Sequence, residues 1–348
     1  MQTTSFMDRK YFLSSLLVSP LFFTAIGSWA AKKESENSSS FTSPPYLKPG
    51  NVIGVTSPAG FITLDEVAPS ILQMESWGYK TKIGNTIGKR DFTYGGTDKE
   101  RLEDFQNMLD DPEIHAIMCA RGGYGFVRII DQLDFTAFKK KPKWIIGFSD
   151  ITVLHCHLSR NYRIASIHSK MCNSFPSDWS KAESIQIETI LSIKNCLSGQ
   201  SVAYSAPFSV HNRIGNTNGI LVGGNLSIIE TLAASATDLD TKDKILFIED
   251  TGEYLYSIDR MLWNLKRSGK LQHLKGLIVG GFKVKPDDAG EEFGKNIYEI
   301  VLEKTADYAY PIAFDFPVGH QRNNFALKCG AMHQLMINQT ETTLKCIV

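Results

Sequence analysis

Ser149 sits where a residue capable of chemistry is most exposed by pattern. The apolar run Trp144-Ile-Ile-Gly-Phe148 tightens at a glycine, presents this one serine, and continues at once into the helix-like Asp150-Ile-Thr-Val-Leu154. A serine between a buried strand and a helix serves either as an N-cap or as a nucleophile held at the edge of a sheet. The second role needs a base within hydrogen-bond reach and a group that orients the base. It also needs donors for the developing oxyanion. The backbone amide of Asp150 is one candidate donor, and the glycine turn Arg121-Gly-Gly-Tyr-Gly125 offers another. Missing side chains there let the backbone approach a ligand closely. The turn lacks both the GxGxxG pattern and the Lys-Ser/Thr of a phosphate-binding loop, so a simple tight turn is its bland reading.

Among the eight histidines, His320 has the best context for a base, because Pro317-Val-Gly-His320 follows the apolar run Ile312–Phe316. His168, ending Ala165-Ser-Ile-His168, is the rival. His115 lies inside an apolar run, and His211, His273 and His333 lie in polar segments. Glu249 and Asp250 end the run Lys244–Ile248 and are candidate orienting acids, with Glu253 third. A carboxylate desolvated at a strand end is costly unless it meets a donor such as an imidazole. His155 and His157 are two apart and have no cysteine pair nearby, which suits no zinc site, and no metal or other cofactor is expected. The six cysteines show no CxxC spacing; Cys119 and Cys156 read as small core residues.

These residues need elements to hold them. From about Asn51 the chain alternates strand and helix patterns. Asn51–Thr56 reads as a strand, Asp65–Trp77 and Asp98–Leu109 as helices, and Ile114–Cys119 as a strand. Phe126–Leu133 reads as a helix and Trp144–Phe148 as a strand. Such alternation implies a parallel sheet with right-handed crossovers, whose sites lie beyond the carboxyl ends of the strands. Both the Arg121 turn and Ser149 fall at such ends. A second unit begins near Gly219, with strands over Gly219–Val222, Lys244–Ile248 and Leu277–Phe282, helices between them, and short β-type runs from Phe325 on. The expected division is an N-terminal α/β domain over 47–176, a helix and linker over 177–212, and a C-terminal α/β domain over 213–348.

The 348 residues carry 37 basic and 37 acidic side chains with no long like-charged block, which excludes a nucleic-acid footprint or polybasic membrane surface. Arg9-Lys10 precede an uncharged run from Tyr11 to Ala31, and Ser28-Trp29-Ala30 supplies small residues around a cleavage point. This layout is that of a signal peptide over 1–31, which predicts a periplasmic protein; an uncleaved anchor, with membrane contact, is the rival reading. Residues 32–46, rich in Ser, Glu and Lys, read as a disordered tether.

Taken together, Gly96-Thr-Asp-Lys-Glu-Arg101, Ala120-Arg-Gly-Gly-Tyr-Gly125, Gly147-Phe-Ser-Asp150, Gly223-Gly-Asn-Leu226, Leu246-Phe-Ile-Glu-Asp250 and Gly319-His320 resemble the LD-carboxypeptidase family in order and spacing. These serine peptidases include muramoyl-tetrapeptide carboxypeptidase and the microcin C immunity peptidases. The resemblance covers roughly residues 45–330. It implies a triad of Ser149 as nucleophile, His320 as base and Glu249 as its orienter, and an oxyanion hole from the amides of Gly123 and Asp150. It implies a Rossmann-like parallel-sheet domain plus a smaller α/β domain, the site between them, and a homodimer. The reaction it implies is removal of the terminal D-amino acid from a murein tetrapeptide, through an acyl-enzyme. A peptidase for modified peptides or peptidyl-nucleotides is the alternative within the family, and a non-catalytic two-lobed peptide-binding protein the alternative outside it. The family often reads His-Gly-Pro-Met where this chain reads His168-Ser-Lys-Met171. Lys170 is therefore a candidate to bind a substrate carboxylate, with Arg121 the alternative.

Overall fold

The computed structural model describes residues 41–347. The segment read as a signal peptide, and residues 32–40 of the expected tether, lie outside the described residues. Residues 41–46 differ from that expectation, because they pack along the body of the protein. The Thr42 amide donates to the Arg163 carbonyl at 2.8 Å, and the Trp144 indole donates to the Pro45 carbonyl at 3.1 Å. Tyr46 stacks on the Trp144 ring.

The first lobe is built from β1 (Val52–Thr56), α1 (Leu64–Ser76), β2 (Lys80–Ile83), α2 (Asp98–Asp110) and β3 (Ile114–Cys119), followed by α3 (Thr136–Lys140), β4 (Trp144–Gly147), α4 (Thr152–His157) and β5 (Ser166–His168). Then come α5 (Ser184–Leu197) and the second lobe: β6 (Ala203–Pro207), β7 (Gly215–Asn225), α6 (Leu226–Thr231), β8 (Lys244–Glu253), α7 (Leu255–Arg267), β9 (Gly276–Val284), α8 (Ile297–Lys304), β10 (Ile312–Ala313), β11 (Leu327–Cys329), β12 (Met332–Ile337) and β13 (Glu341–Cys346). Helix starts are fixed locally. Thr63 with Glu66, and Thr97 with Glu100, each form a reciprocal capping box at the head of α1 and α2.

Five strands of the first sheet run parallel in the order β5-β4-β3-β1-β2, a doubly wound arrangement. The order reverses between β1 and β3, and a ligand crevice opens at such a reversal. β3 and β4 are buried on both faces, which is why they read as continuous apolar runs. The second sheet has the order β10-β9-β8-β7-β12-β13-β6. It is parallel from β10 to β7 and antiparallel beyond.

Several elements depart from the sequence reading: β2 has no counterpart in it, and β8 continues past Ile248 to Glu253. Phe126–Leu133 forms two short 3-10 turns, 126–128 and 130–132, rather than a helix. Residues 203–207, expected in the linker, form the edge strand β6. β11, expected within the C-terminal domain, crosses to the first sheet and pairs antiparallel with β5. The lobes also share a core: Ile151, Val153 and Leu154 around α4 cluster with Val222, Leu226, Leu246 and Ile248. Burying each such side chain contributes about 1.5–3 kcal/mol, so this seam holds the lobes in one relative placement.

Candidate active site

Ser149 follows the last residues of β4 and adopts φ +62°, a left-handed conformation rare for a residue with a Cβ. Such a conformation costs on the order of 1–3 kcal/mol and persists only where the surroundings over-determine it. Here they do. Beneath the turn, buried His155 holds the Gly147 carbonyl through Nε2 at 2.9 Å and the Ser166 hydroxyl through Nδ1 at 2.8 Å. Burial pushes this imidazole down to about 4, so it is a neutral brace. Beside the turn, the Asp150 carboxylate accepts from the Phe126 amide at 2.8 Å. This bond ties the nucleophile turn to the glycine turn. Asp150 is 2% exposed, and desolvation pushes its carboxyl up to about 6.

The glycine turn lies directly over Ser149. A Cβ built on Gly122 would stand 2.9 Å from the Ser149 Cβ and 3.2 Å from its Oγ. Only glycine permits that approach. The turn is held from behind by Arg101, whose fully buried guanidinium donates to the carbonyls of Pro58 at 2.6 Å and Gly125 at 2.8 Å. Asp98 pairs with the same guanidinium. Gly123, at φ +94°, follows Gly122 in this turn.

The second lobe brings the base. Glu249 lies in β8 with 0% exposure, and its Oε2 is 2.5 Å from His320 Nδ1 and 3.2 Å from the His320 amide nitrogen. A carboxylate can only accept, so Nδ1 carries the proton and Nε2 is free to accept. His320 Nε2 lies 3.2 Å from Ser149 Oγ. The chain can cross Glu249 this closely because residue 319 is glycine. At φ +102°, a Cβ there would overlap the Cβ of Glu249 and stand 2.8 Å from its Oε2. The Gly319 amide donates to the Asn324 side-chain oxygen at 2.8 Å, closing the turn from the far side.

The rival assignments separate cleanly. His168 is fully buried and, among the described residues, meets no carboxylate; burial drives its pKa well below the usual histidine value. Asp250 faces Asn225, Ser227 and Thr251 rather than an imidazole. Lys170 reaches the site's rim, where its Nζ donates to the Gln321 carbonyl at 2.6 Å. Exposed Arg121 donates to the Phe61 carbonyl at 3.0 Å. Arg101, Asn324 and the Asp150 side chain bear on the site without standing out in the sequence. The Asn-Asn at 323–324 carries no local signal, whereas Arg101 belongs to the Gly96–Arg101 segment.

Two α/β lobes with a hydroxyl, an imidazole and a carboxylate aligned between them are the arrangement of a serine hydrolase. The profile of the LD-carboxypeptidase N-terminal domain matches residues 53–169, and that of the LD-carboxypeptidase C-terminal domain matches residues 218–335. The chain belongs to the LD-carboxypeptidase family and is a serine-type carboxypeptidase. A probable murein peptide carboxypeptidase of Bacillus subtilis is 30% identical over 86% of this chain and 92% of its own length. The murein tetrapeptide carboxypeptidase of Pseudomonas aeruginosa is 28% identical over 80% of this chain and 91% of its own. The fold matches the crystal structure of muramoyltetrapeptide carboxypeptidase from Oxalobacter formigenes, with a TM-score of 0.74 at 24% identity over 85% of this chain and 98% of that one. It also matches the microcin C7 self-immunity protein, with a TM-score of 0.76 at 21% identity over 86% and 97%.

Proposed function

We propose that this protein removes the terminal D-amino acid from murein tetrapeptide stems by hydrolysing an L,D peptide bond. Ser149 Oγ attacks the scissile carbonyl and its proton passes to His320 Nε2. The imidazolium that forms is stabilised by Glu249 at Nδ1. The amides of Gly123 and Asp150 hold the oxyanion. As the tetrahedral species collapses, the C–N bond breaks and His320 returns the proton to the departing amine, leaving an acyl-enzyme on Ser149. Water then attacks that ester, His320 takes the water's proton, and Ser149 Oγ leaves with it. The reading is carried by the continuous path from Ser149 Oγ through the His320 ring to a buried Glu249. The murein substrate is supported by the relatives in Bacillus subtilis and Pseudomonas aeruginosa.

The test is release of free D-alanine from a purified murein tetrapeptide. The native protein should turn over, and Ser149→Ala should lose on the order of 10³–10⁶-fold in kcat while still unfolding cooperatively. Full activity in Ser149→Ala would overturn the mechanism. We further propose export to the periplasm, supported by Arg9-Lys10 and the uncharged run that follows, and a homodimer, supported by the family resemblance. Mass analysis of the mature chain and its sedimentation behaviour test these two points.

A further inference from the structure

We propose that Lys170, at the edge of a hollow and one ring away from His320, forms an anion subsite that receives the terminal carboxylate of the departing residue. The proposal rests on the carboxypeptidase reading above. The hollow has a volume of about 270 Å³ and is lined by Lys170, Ser174, Glu183, Ile185, Gln186 and Arg322. Lys170 rises from the segment after β5, half-buried, with its ammonium 5.8 Å from the centre of the Phe148 ring. That ring packs against the His320 imidazole at 4.9 Å. An ammonium has three protons to donate, and among the described residues this one has a single hydrogen-bond acceptor, the Gln321 carbonyl. Among the described residues no carboxylate lies within ion-pair distance of it. Of the charges that bear on it, Lys283 repels and Glu249 is committed to His320.

A half-buried cation without an acid is a desolvated charge awaiting a counter-ion. Arg322, by contrast, is already paired, with Nη1 at 2.7 Å from both oxygens of Glu183. That pair is solvent-exposed and screened, whereas the Lys170 ammonium is the desolvated cation of the hollow. Gln186 and Ser174 add neutral polar groups to the lining.

The reaction dictates which anion belongs there. His320 hands its proton to the departing amine, so the leaving residue must lie on the imidazole's side of the site. In a single-residue leaving group the carboxylate carbon lies about 2.5 Å from that amine nitrogen. Its grip must therefore come from a side chain next to His320, and Lys170 is anchored to the carbonyl of the very next residue. Arg121 lines no part of this hollow. The Gly-Pro that the resemblance leads one to expect at 169–170 would supply no cation. The subsite therefore belongs to this chain's own Ser169-Lys170 sequence, and it makes a free C-terminal carboxylate a condition of efficient cleavage.

The experiment compares a murein tetrapeptide ending in a free D-alanine carboxylate with the same peptide ending in a carboxamide. Release of D-alanine or D-alaninamide is followed for the native protein, Lys170→Met and Lys170→Arg. The native protein should favour the acid by about 10–100-fold in kcat/KM, chiefly through KM. Lys170→Met should bring that ratio close to one, and Lys170→Arg should retain much of it. A folded Lys170→Met protein that keeps the native ratio overturns the subsite. Lys170→Gln decides the same question if the methionine variant does not fold. A native protein that cleaves neither peptide instead overturns the carboxypeptidase reading, a distinct result.

Discussion

Gly122→Ala is the sharpest perturbation of the site, because it adds one methyl group and removes no catalytic atom. The new Cβ would lie 2.9 Å from the Ser149 Cβ, 3.2 Å from Ser149 Oγ and 3.3 Å from the Met171 methyl. Carbon atoms settle at about 3.5–4.0 Å, so the glycine turn and the nucleophile must separate by at least about 0.6 Å. Met171 can yield by rotating its side chain. The Ser149 Cβ cannot, because it hangs from a backbone already held at φ +62°. A displacement approaching 1 Å of a reacting group costs about 100-fold in rate, or about 2.7 kcal/mol of transition-state stabilisation. The accompanying overpacking should cost about 1–3 kcal/mol of stability. Steady-state kcat/KM on the tetrapeptide, set beside urea denaturation, measures both. Leu265→Ala, in the remote core face of α7, is the control. It should lose about 2–5 kcal/mol of stability with little change in kcat/KM while the protein stays folded. If Gly122→Ala keeps kcat/KM within threefold of native, the proposed contact between the glycine turn and the reacting centre is wrong.

Ser149→Gly should be inactive yet more stable than Ser149→Ala by about 1 kcal/mol, since glycine relieves the left-handed strain that alanine retains; equal melting of the two variants would count against strain at this residue. Glu249→Gln should preserve the fold but lower kcat by about 10³–10⁴-fold, because an amide cannot stabilise the imidazolium. More than a tenth of native activity would remove Glu249 from the relay. Burial brings the Lys170 ammonium down to about 8. Its positive charge is present below that pH and is lost as pH rises through it. KM for the free-acid peptide should therefore climb above about pH 8, whereas KM for the carboxamide should not. Parallel pH profiles for the two peptides would refute the assignment.

The strand-end residues were legible in sequence for a physical reason. A parallel strand buried on both faces reads as an unbroken apolar run, so the first polar residue after it marks the carboxyl end where ligands bind. Ser149 announces itself this way, and His320 nearly so; Glu249 follows an apolar run too, but β8 continues through it to Glu253. What escaped were groups whose roles depend on distant partners. In sequence Asp150 offers only its amide, yet its carboxylate takes the Phe126 amide at the start of a 3-10 turn. β-branched Val127, Ile129 and Ile130 lower the helix propensity of Phe126–Leu133. Arg101 reads as a solvated charge on a helix until its carbonyl partners at 58, 96 and 125 are known. β6 looked like linker because an edge strand exposes one margin and alternates weakly.

The crossing of β11 into the first sheet explains why the catalytic groups can come from two lobes and still be aligned. The segment carrying His320 is bound to the second sheet at its start, where Gly319 bridges to Gly281. At its end it is bound to the first sheet, where Leu327, Lys328 and Cys329 pair with β5. Lys170 grips its middle from the first lobe, and Glu249 grips it from the second. Swinging the lobes apart would break the β11–β5 ladder and open the apolar seam along α4, so the Ser149–His320 distance is a property of the resting protein. Substrate then meets the serine and the imidazole already within hydrogen-bond reach of each other. Such preorganisation lets their alignment act on the transition state without a closing motion to complete it.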